Sequence, residues 1–352
     1  MQDVMRALST VNDPELHRDL VSLGMIKNVD RQGETVSLMV ELTTPACPLK
    51  DKIAADIQAA LKTVGIKQVN ITWGAQVKAA RTMGGEFLGQ VKNVILVASG
   101  KGGVGKSTVA ANLACALHRL GARVGLLDAD IYGPSVPTMF GTHERPRMVE
   151  GGKKLAPIEA HGLKLMSIGF LVDQKEAVVW RGPMLAGAIQ QFMRDVDWGE
   201  LDYMVVDLPP GTGDVQLTLS QQLKVSGAVI VTTPQSVALA DVVRAKAMFD
   251  KVNVPIIGLV ENMSSFICSS CSAEHFIFDK GGGERAAKDM DTRFLGGVPL
   301  VTDIREAGDA GMPIVERAPD SPSAKAFFAV AGQVADRLSV MAQRQSTLKI
   351  VA

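Results

Sequence analysis

The sequence predicts an α/β protein built on a doubly wound, mostly parallel sheet, with a small α+β domain in front of it. Three observations carry this prediction. Beyond residue 93, short uninterrupted apolar runs recur at Val94-Ile95-Leu96-Val97-Ala98, Val124-Gly125-Leu126-Leu127, Tyr203-Met204-Val205-Val206, Ala228-Val229-Ile230-Val231 and Ile256-Ile257-Gly258-Leu259-Val260. Such runs are expected of central strands covered on both faces. Helix-like segments separate most of them, and alternating β and α implies parallel strands joined by right-handed crossovers. The residues before position 78 read differently, as strands with one buried face around an amphipathic helix.

Taken in order, Asn12-Asp13-Pro14-Glu15 predicts a helix start, with Pro at or near the first helical position. Thr35 to Val40 alternates polar and apolar residues and predicts a strand. Pro48 to Lys62 predicts an amphipathic helix, with Ile53, Ile57 and Leu61 at fourfold spacing. Gln68 to Trp73 predicts a further strand. Lys78-Ala79-Ala80-Arg81-Thr82-Met83-Gly84-Gly85 has no sustained period and reads as a linker. The expected domains are residues 1–78 and 93–352, with residues 79–92 between them. A helix is expected behind the first apolar run, from Lys106 to about Leu120, and a last one from Ser323 to Arg344. There is no internal repeat and no low-complexity tract.

At 352 residues the chain is long enough for about two domains. Hydrophobic residues make up 47% and charged residues 21%, which excludes wholesale disorder. Lys+Arg and Asp+Glu balance at 37 each. That neutrality argues against nucleic-acid binding through a net positive field and leaves only a local basic patch open. No apolar stretch reaches the roughly 18 residues of a membrane helix, and Met1-Gln2-Asp3-Val4-Met5-Arg6 does not read as a signal peptide. Four cysteines are too few for a disulfide framework. The expectation is a reduced, cytoplasmic protein in which a Cys pair serves metal or redox chemistry.

The strongest motif is Gly100-Lys101-Gly102-Gly103-Val104-Gly105-Lys106-Ser107-Thr108, which satisfies G-x-x-x-x-G-K-[ST] between an apolar strand and a helix. The glycines let backbone N–H groups curl around phosphate oxygens, and the helix N-terminus adds partial positive charge. Lys106 should reach the β- and γ-phosphates, and the Ser107 hydroxyl should ligate Mg²⁺. Lys101 is a second lysine in the loop, read either as solvent-facing or as an extra cation for the transferring phosphoryl group. Asp207 ends an apolar strand and is placed to hold Mg²⁺. Gly211 is a candidate for close backbone approach to the γ-phosphate. Asp130 is the candidate for orienting the attacking water, with Asp128 beside it as partner or as a turn-capping residue.

Cys268-Ser269-Ser270-Cys271 places a C-x-x-C just past a sheet strand. Zinc and iron–sulfur sites of this type normally take four thiolates. The remaining cysteines are Cys47 and Cys115, and Cys115 reads as a small buried residue on the helix behind the phosphate loop. Two chains related by a twofold axis would supply four thiolates at the interface. Such an exposed site suits a cluster that is handed on. A thioredoxin-type redox pair finds no support in the Ser-Ser spacer, whereas a dimer-bridging structural zinc stays open.

The loop from Lys101 to Ser107 resembles the deviant Walker A of the MinD, ParA and nitrogenase iron-protein class of P-loop NTPases. That resemblance implies nucleotide-sandwiched dimers, with Lys101 contacting nucleotide on the partner chain and Asp130 supporting hydrolysis. It also matches Asn262 to the position that reads adenine. Together with Asp128-Ala-Asp130-Ile-Tyr-Gly-Pro-Ser, Arg181-Gly182-Pro183-Met184, Asp207-Leu-Pro-Pro-Gly-Thr-Gly-Asp214, Glu261-Asn262-Met263 and the C-x-x-C, residues from about 93 to 340 resemble the Mrp/ApbC branch. The resemblance implies an ATP-hydrolysing homodimer that carries a [4Fe–4S] cluster on Cys268 and Cys271 and transfers it to apoproteins, with scaffold proteins as a further partner class.

The N-terminal segment is similar to the MIP18-type iron–sulfur assembly domain. The matching residues are Asp13-Pro14-Glu15-Leu16, Val21-Ser22-Leu23-Gly24-Met25-Ile26 and Thr43-Thr44-Pro45-Ala46-Cys47-Pro48. Cys47 stands at the start of the expected helix, where the dipole should lower its thiol pKa. Cluster relay and plain packing are both open to it. Two other functions compete for the whole chain. A positioning ATPase on a membrane or on DNA would need a basic amphipathic tail, and Ser339 to Gln345 carries one charge. A scaffold dimer with structural zinc leaves Asp130 and Asp207 without a purpose.

Overall fold

The computed structural model describes residues 1–80, 88, 90–131, 133–149, 151–171, 182–222, 225–268, 270–271 and 273–348. For residues 182–186, 214–215, 221–222 and 344–348 only the backbone is described. The linker residues 81–87, Tyr132, Arg181 and Ser269 lie outside the described set. Contacts divide the chain into two compact units, Met1–Lys78 with Ala335–Ala352, and Ala79–Val334.

In the first unit, α1 (Gln2–Leu8) precedes a two-residue ladder of β1 (Asn12–Asp13) and β2 (Arg18–Asp19). The helix expected at Asn12–Glu15 does not form. Asp13 Oδ1 instead accepts from the N–H groups of Glu15 and Leu16 at 3.0 and 2.9 Å, which makes a turn, and His17 takes φ 51°. Next come β3 (Ile26–Gln32), β4 (Thr35–Leu42), α2 (Lys50–Lys62) and β5 (Gln68–Ala75). Strands β3 and β4 pair antiparallel, β4 and β5 parallel, and α2 makes the crossover. The sequence pattern explains the packing. Val36, Leu38, Val40 and Leu42 alternate on one face of β4 and meet Ile53, Ile57 and Leu61 of α2 in one buried cluster.

In the second unit, the elements are β6 (Val91–Ala98), α3 (Lys106–Arg119), β7 (Val124–Asp128), α4 (Val136–Met139), β8 (Ile158–Ala160), β9 (Leu163–Ser167), α5 (Gly182–Asp195), β10 (Leu201–Asp207), α6 (Asp214–Gln222), β11 (Gly227–Thr232) and α7 (Ser236–Lys251). They are followed by β12 (Ile256–Ile267), β13 (Glu274–His275), α8 (Gly282–Asp289), β14 (Phe294–Leu300), α9 (Thr302–Asp309), α10 (Ile314–Arg317) and the long α11 (Pro322–Leu348), of which the residues from Ala335 on belong to the first unit. The strand order is β12-β11-β6-β10-β7-β9-β8, with β14 and β13 both pairing with β12. Every pairing is parallel except β8 with β9 and β13 with β12. Strands β7, β10 and β11 are buried along their whole length, as their unbroken apolar runs require. Strand β6 begins at Val91, inside the expected linker. In the register, Asp207 at the end of β10 faces Val97 of β6 on one side and Asp128 of β7 on the other. The carboxyl ends of the three central strands therefore converge, where ligands bind in open parallel sheets.

Candidate functional site

The phosphate loop leaves β6 at Ser99 and enters α3 at Lys106. Gly103 and Gly105 take φ 79° and 77°, a left-handed backbone that disfavours any side chain. A Cβ on Gly105 would overlap the Asn262 amide, and one on Gly100 would overlap the backbone of Asp241 in α7. The loop is therefore glycine by conformation and by space. No side chain caps the start of α3, so its first N–H groups stay available to an anion.

Lys106 is buried, and its Nζ has three neighbours: Asp207 Oδ1 at 2.5 Å, Ser107 Oγ at 3.3 Å and Asp130 Oδ2 at 3.6 Å. The other oxygens of these acids, Asp130 Oδ1 and Asp207 Oδ2, are buried without a hydrogen-bond partner. Buried polar atoms are normally paired, so this donor set fits a divalent cation beside the Ser107 hydroxyl. Burial pushes the Asp207 carboxyl up, against the pull of the Lys106 charge.

Asp128 does different work. Its Oδ2 accepts from the N–H groups of Ser135 and Val136 and from the Ser167 hydroxyl, and its Oδ1 accepts from the Asp130 N–H. It caps α4 and fixes the turn that carries Asp130. Burial first, and then the charge of Asp207, push its carboxyl up to about 7, against those hydrogen bonds.

Gly211 takes φ 98°, and its N–H donates to the Ser99 carbonyl at 3.0 Å. This bond ties the loop after β10 to the phosphate loop. Asn262 is 7% exposed, and its Nδ2 donates to the Val104 carbonyl at 2.9 Å. It clamps the phosphate loop from β12. Lys101 is half-buried and forms no ion pair among the described residues. A cavity of about 460 Å³ opens beside Gly105, Thr108 and Asn262 and is closed by Met263 and by Pro299 to Val301 at the end of β14. The sequence reading missed this wall. The available signal was the polar start of α9 directly after Leu300-Val301, which marks a strand end on the ligand side of the sheet.

The C-x-x-C lies on the turn between β12 and β13, where Phe266 pairs with His275 and the Cys268 N–H donates to the Ala273 carbonyl at 2.9 Å. Cys268 is half-buried, Cys271 is exposed, and neither is in a disulfide. The polar backbone of Ser270 and Cys271 beside Cys268 holds its thiol below the ordinary value. Surroundings of this kind stabilise a thiolate, the form that binds metal. Among the described residues no three His, Cys, Asp or Glu side chains gather to hold a metal ion. Within one chain the turn offers two thiols.

Cys115 is fully buried in α3, and burial raises its thiol well above the ordinary value. Cys47 departs from expectation. Helix α2 begins only at Lys50, and burial, helped by the charges of Glu15 and Asp13, pushes the thiol up to about 11. Desolvation outweighs the opposing pull of the Leu49 backbone and of the Lys50 charge there.

Comparison with known proteins agrees with this geometry. Residues 90–335 match the model of the NUBPL iron-transfer P-loop NTPases, and residues 1–73 match that of an iron–sulfur cluster assembly protein. The iron–sulfur cluster carrier protein of Deinococcus radiodurans is 53% identical over 338 residues, covering 96% of this chain and 95% of that one. The carrier protein of Escherichia coli (strain K12) is 44% identical, covering 96% and 90%. A solved nucleotide-binding protein from Archaeoglobus fulgidus, in complex with ADP, shares 38% identity with a TM-score of 0.60, covering 69% of this chain and 94% of that one. The cell division ATPase MinD of Pyrococcus furiosus, at 24% identity and a TM-score of 0.52, shares the fold, covering 69% and 98%. With well over half of its length matched, and with full-length relatives above 40% identity, this chain belongs to the family of iron-transfer P-loop NTPases.

Proposed function

We propose that the chain is an ATP-binding and ATP-hydrolysing iron–sulfur cluster carrier, which holds a [4Fe–4S] cluster between two copies of itself and passes it to apoproteins in the reducing cytoplasm. One observation carries the reading. A turn directly after the strand whose Asn262 clamps the phosphate loop presents two thiols, Cys268 half-buried and Cys271 exposed, outside any disulfide. Two thiolates per chain are half of the usual set, so a second copy completes the site.

In this reading the loop N–H groups and Lys106 bind the β- and γ-phosphates. The cavity beside Asn262 receives the base and ribose. Ser107 and Asp207 would hold Mg²⁺, which when bound neutralises charge on the phosphate oxygens. Asp130, with its unpaired Oδ1, orients the attacking water. Lys101 reaches the nucleotide on the partner. The cluster is cargo, taken up by Cys268 and Cys271 and released to a recipient.

Anaerobic reconstitution with iron and sulfide tests this reading. The native protein should take up about four irons and four sulfides per dimer, and Cys271→Ala should take up none. Zinc in place of iron, or no uptake by the native protein, overturns the carrier reading.

A further inference from the structure

Strand β12 passes the phosphate loop and leads into the turn that carries the cysteines, and it is not regular between them. Asn262 pairs with Val298 of β14 and Phe266 pairs with Leu300. Four steps on β12 (262 to 266) therefore face two steps on β14 (298 to 300), a surplus of two residues. The surplus begins at Met263, whose φ is 57°. A methionine in the left-handed region is strained, and such strain persists only where the surroundings impose it. Both sides of the bulge are held. Asn262 is bonded to the Val104 carbonyl, and Ser264 packs against Gly297, where a Cβ would meet its Oγ at 2.9 Å. Met263 also lines the cavity next to Gly105. Two residues beyond the re-established register stands Cys268.

We infer that Met263 is a positioning residue, whose left-handed backbone is the pivot through which the phosphate loop sets the placement of Cys268. Ligand entry moves the Val104 carbonyl with its loop, and Asn262 follows. Met263 then relaxes to the extended backbone its side chain prefers, and the stored surplus shifts the turn that carries the cysteines. The pivot is a local two-conformer element biased from both ends, which is the physical requirement for coupling two sites. The inference rests on the proposed reading, in which the loop binds nucleotide and the thiols bind cargo.

The test uses the metal-free full chain. Iodoacetamide labelling of Cys268 is followed by peptide-resolved mass spectrometry, with and without a saturating non-hydrolysable ATP analogue and Mg²⁺. Binding of a fluorescent ATP analogue is measured in parallel. In the native protein the nucleotide should change the labelling rate. Met263→Gly is at ease in the left-handed region, so it should shrink that change about fivefold or more. Met263→Val disfavours that region and should label at the nucleotide-bound rate even without nucleotide. Both variants shorten the side chain, so a role for the thioether alone would move them the same way, and that result overturns the pivot. Nucleotide binding with no change in native labelling also overturns the pivot and leaves the carrier reading standing. Absence of nucleotide binding overturns both.

Discussion

Replacing Asn262 by Ala removes the hydrogen bond from its Nδ2 to the Val104 carbonyl, 2.9 Å long and shielded by a side chain only 7% exposed. A neutral bond of this kind contributes a net ~0.5–1.5 kcal/mol, and a buried acceptor left unsatisfied raises the loss to about 1–3 kcal/mol. The loss falls on the phosphate loop, because Val104 lies between two left-handed glycines and has no strand partner. Nucleotide must then reorder the loop at its own expense. The dissociation constant should rise about 5- to 150-fold. Competition titrations of ATP and GTP against a fluorescent nucleotide separate two roles of Asn262. The clamp acts on the loop and weakens both nucleotides by one common factor. A contact to the base adds a further loss for ATP alone. GTP affinity within about twofold of the native value would refute the clamp.

Two further predictions follow from the same geometry. Asp207→Asn removes a carboxylate that holds Lys106 at 2.5 Å and a candidate ligand of Mg²⁺. Calorimetry with and without chelator should show unchanged or tighter nucleotide binding in the absence of Mg²⁺ and loss of the gain that Mg²⁺ confers; a retained gain refutes the assignment. For the cysteines, a Cys47 thiol raised to about 11 has about one part in a thousand as thiolate at pH 8, growing tenfold per pH unit. In peptide-resolved alkylation Cys268 should therefore label first at pH 8, Cys47 should gain steeply towards pH 10, and Cys115 should stay protected; equal rates for Cys47 and Cys268 at pH 8 refute the burial argument.

The central strands were legible because a strand covered on both faces has nothing but apolar residues to show, and an Asp at its end stands out. The phosphate loop was legible for a related reason, since a left-handed turn against Asn262 and Asp241 admits only glycine. The wall at Pro299 to Val301 was not. Strand β14 reads Phe-Leu-Gly-Gly-Val-Pro-Leu, and its glycines and proline signal a turn, while its pairing with β12 decides for a strand. Asn12 to Glu15 failed in the opposite direction. The Asp-Pro pair carries a helix-start signal, yet Asp13 spends its carboxylate on a local turn. Asp128 and Asp130 stand two residues apart in one Asp-Ala-Asp pattern, and only their contacts show that the first caps and the second faces the lysine. The dipole argument for Cys47 lost its premise, because α2 begins at Lys50. Burial, which the sequence does not display residue by residue, is the largest effect there.

The charge balance of the site explains why its ligands should arrive together. One lysine faces two carboxylates, and each carboxylate keeps one oxygen without a partner. Unpaired buried charge is unfavourable, so the ligand-free arrangement is a compromise in which Lys106 serves both acids and satisfies neither. Phosphate alone would draw Lys106 away and set more negative charge beside Asp130 and Asp207. A divalent cation alone would sit next to the ammonium of Lys106. Arriving as a pair, the phosphates take the lysine and the cation takes the carboxylates, and every group gains a partner of opposite sign. Binding of the two is then cooperative by a coupling free energy that belongs to the protein. The same exchange of partners pulls on the loop that Asn262 clamps, and under the proposed Met263 pivot the labelling of Cys268 should respond only when both ligands are in place.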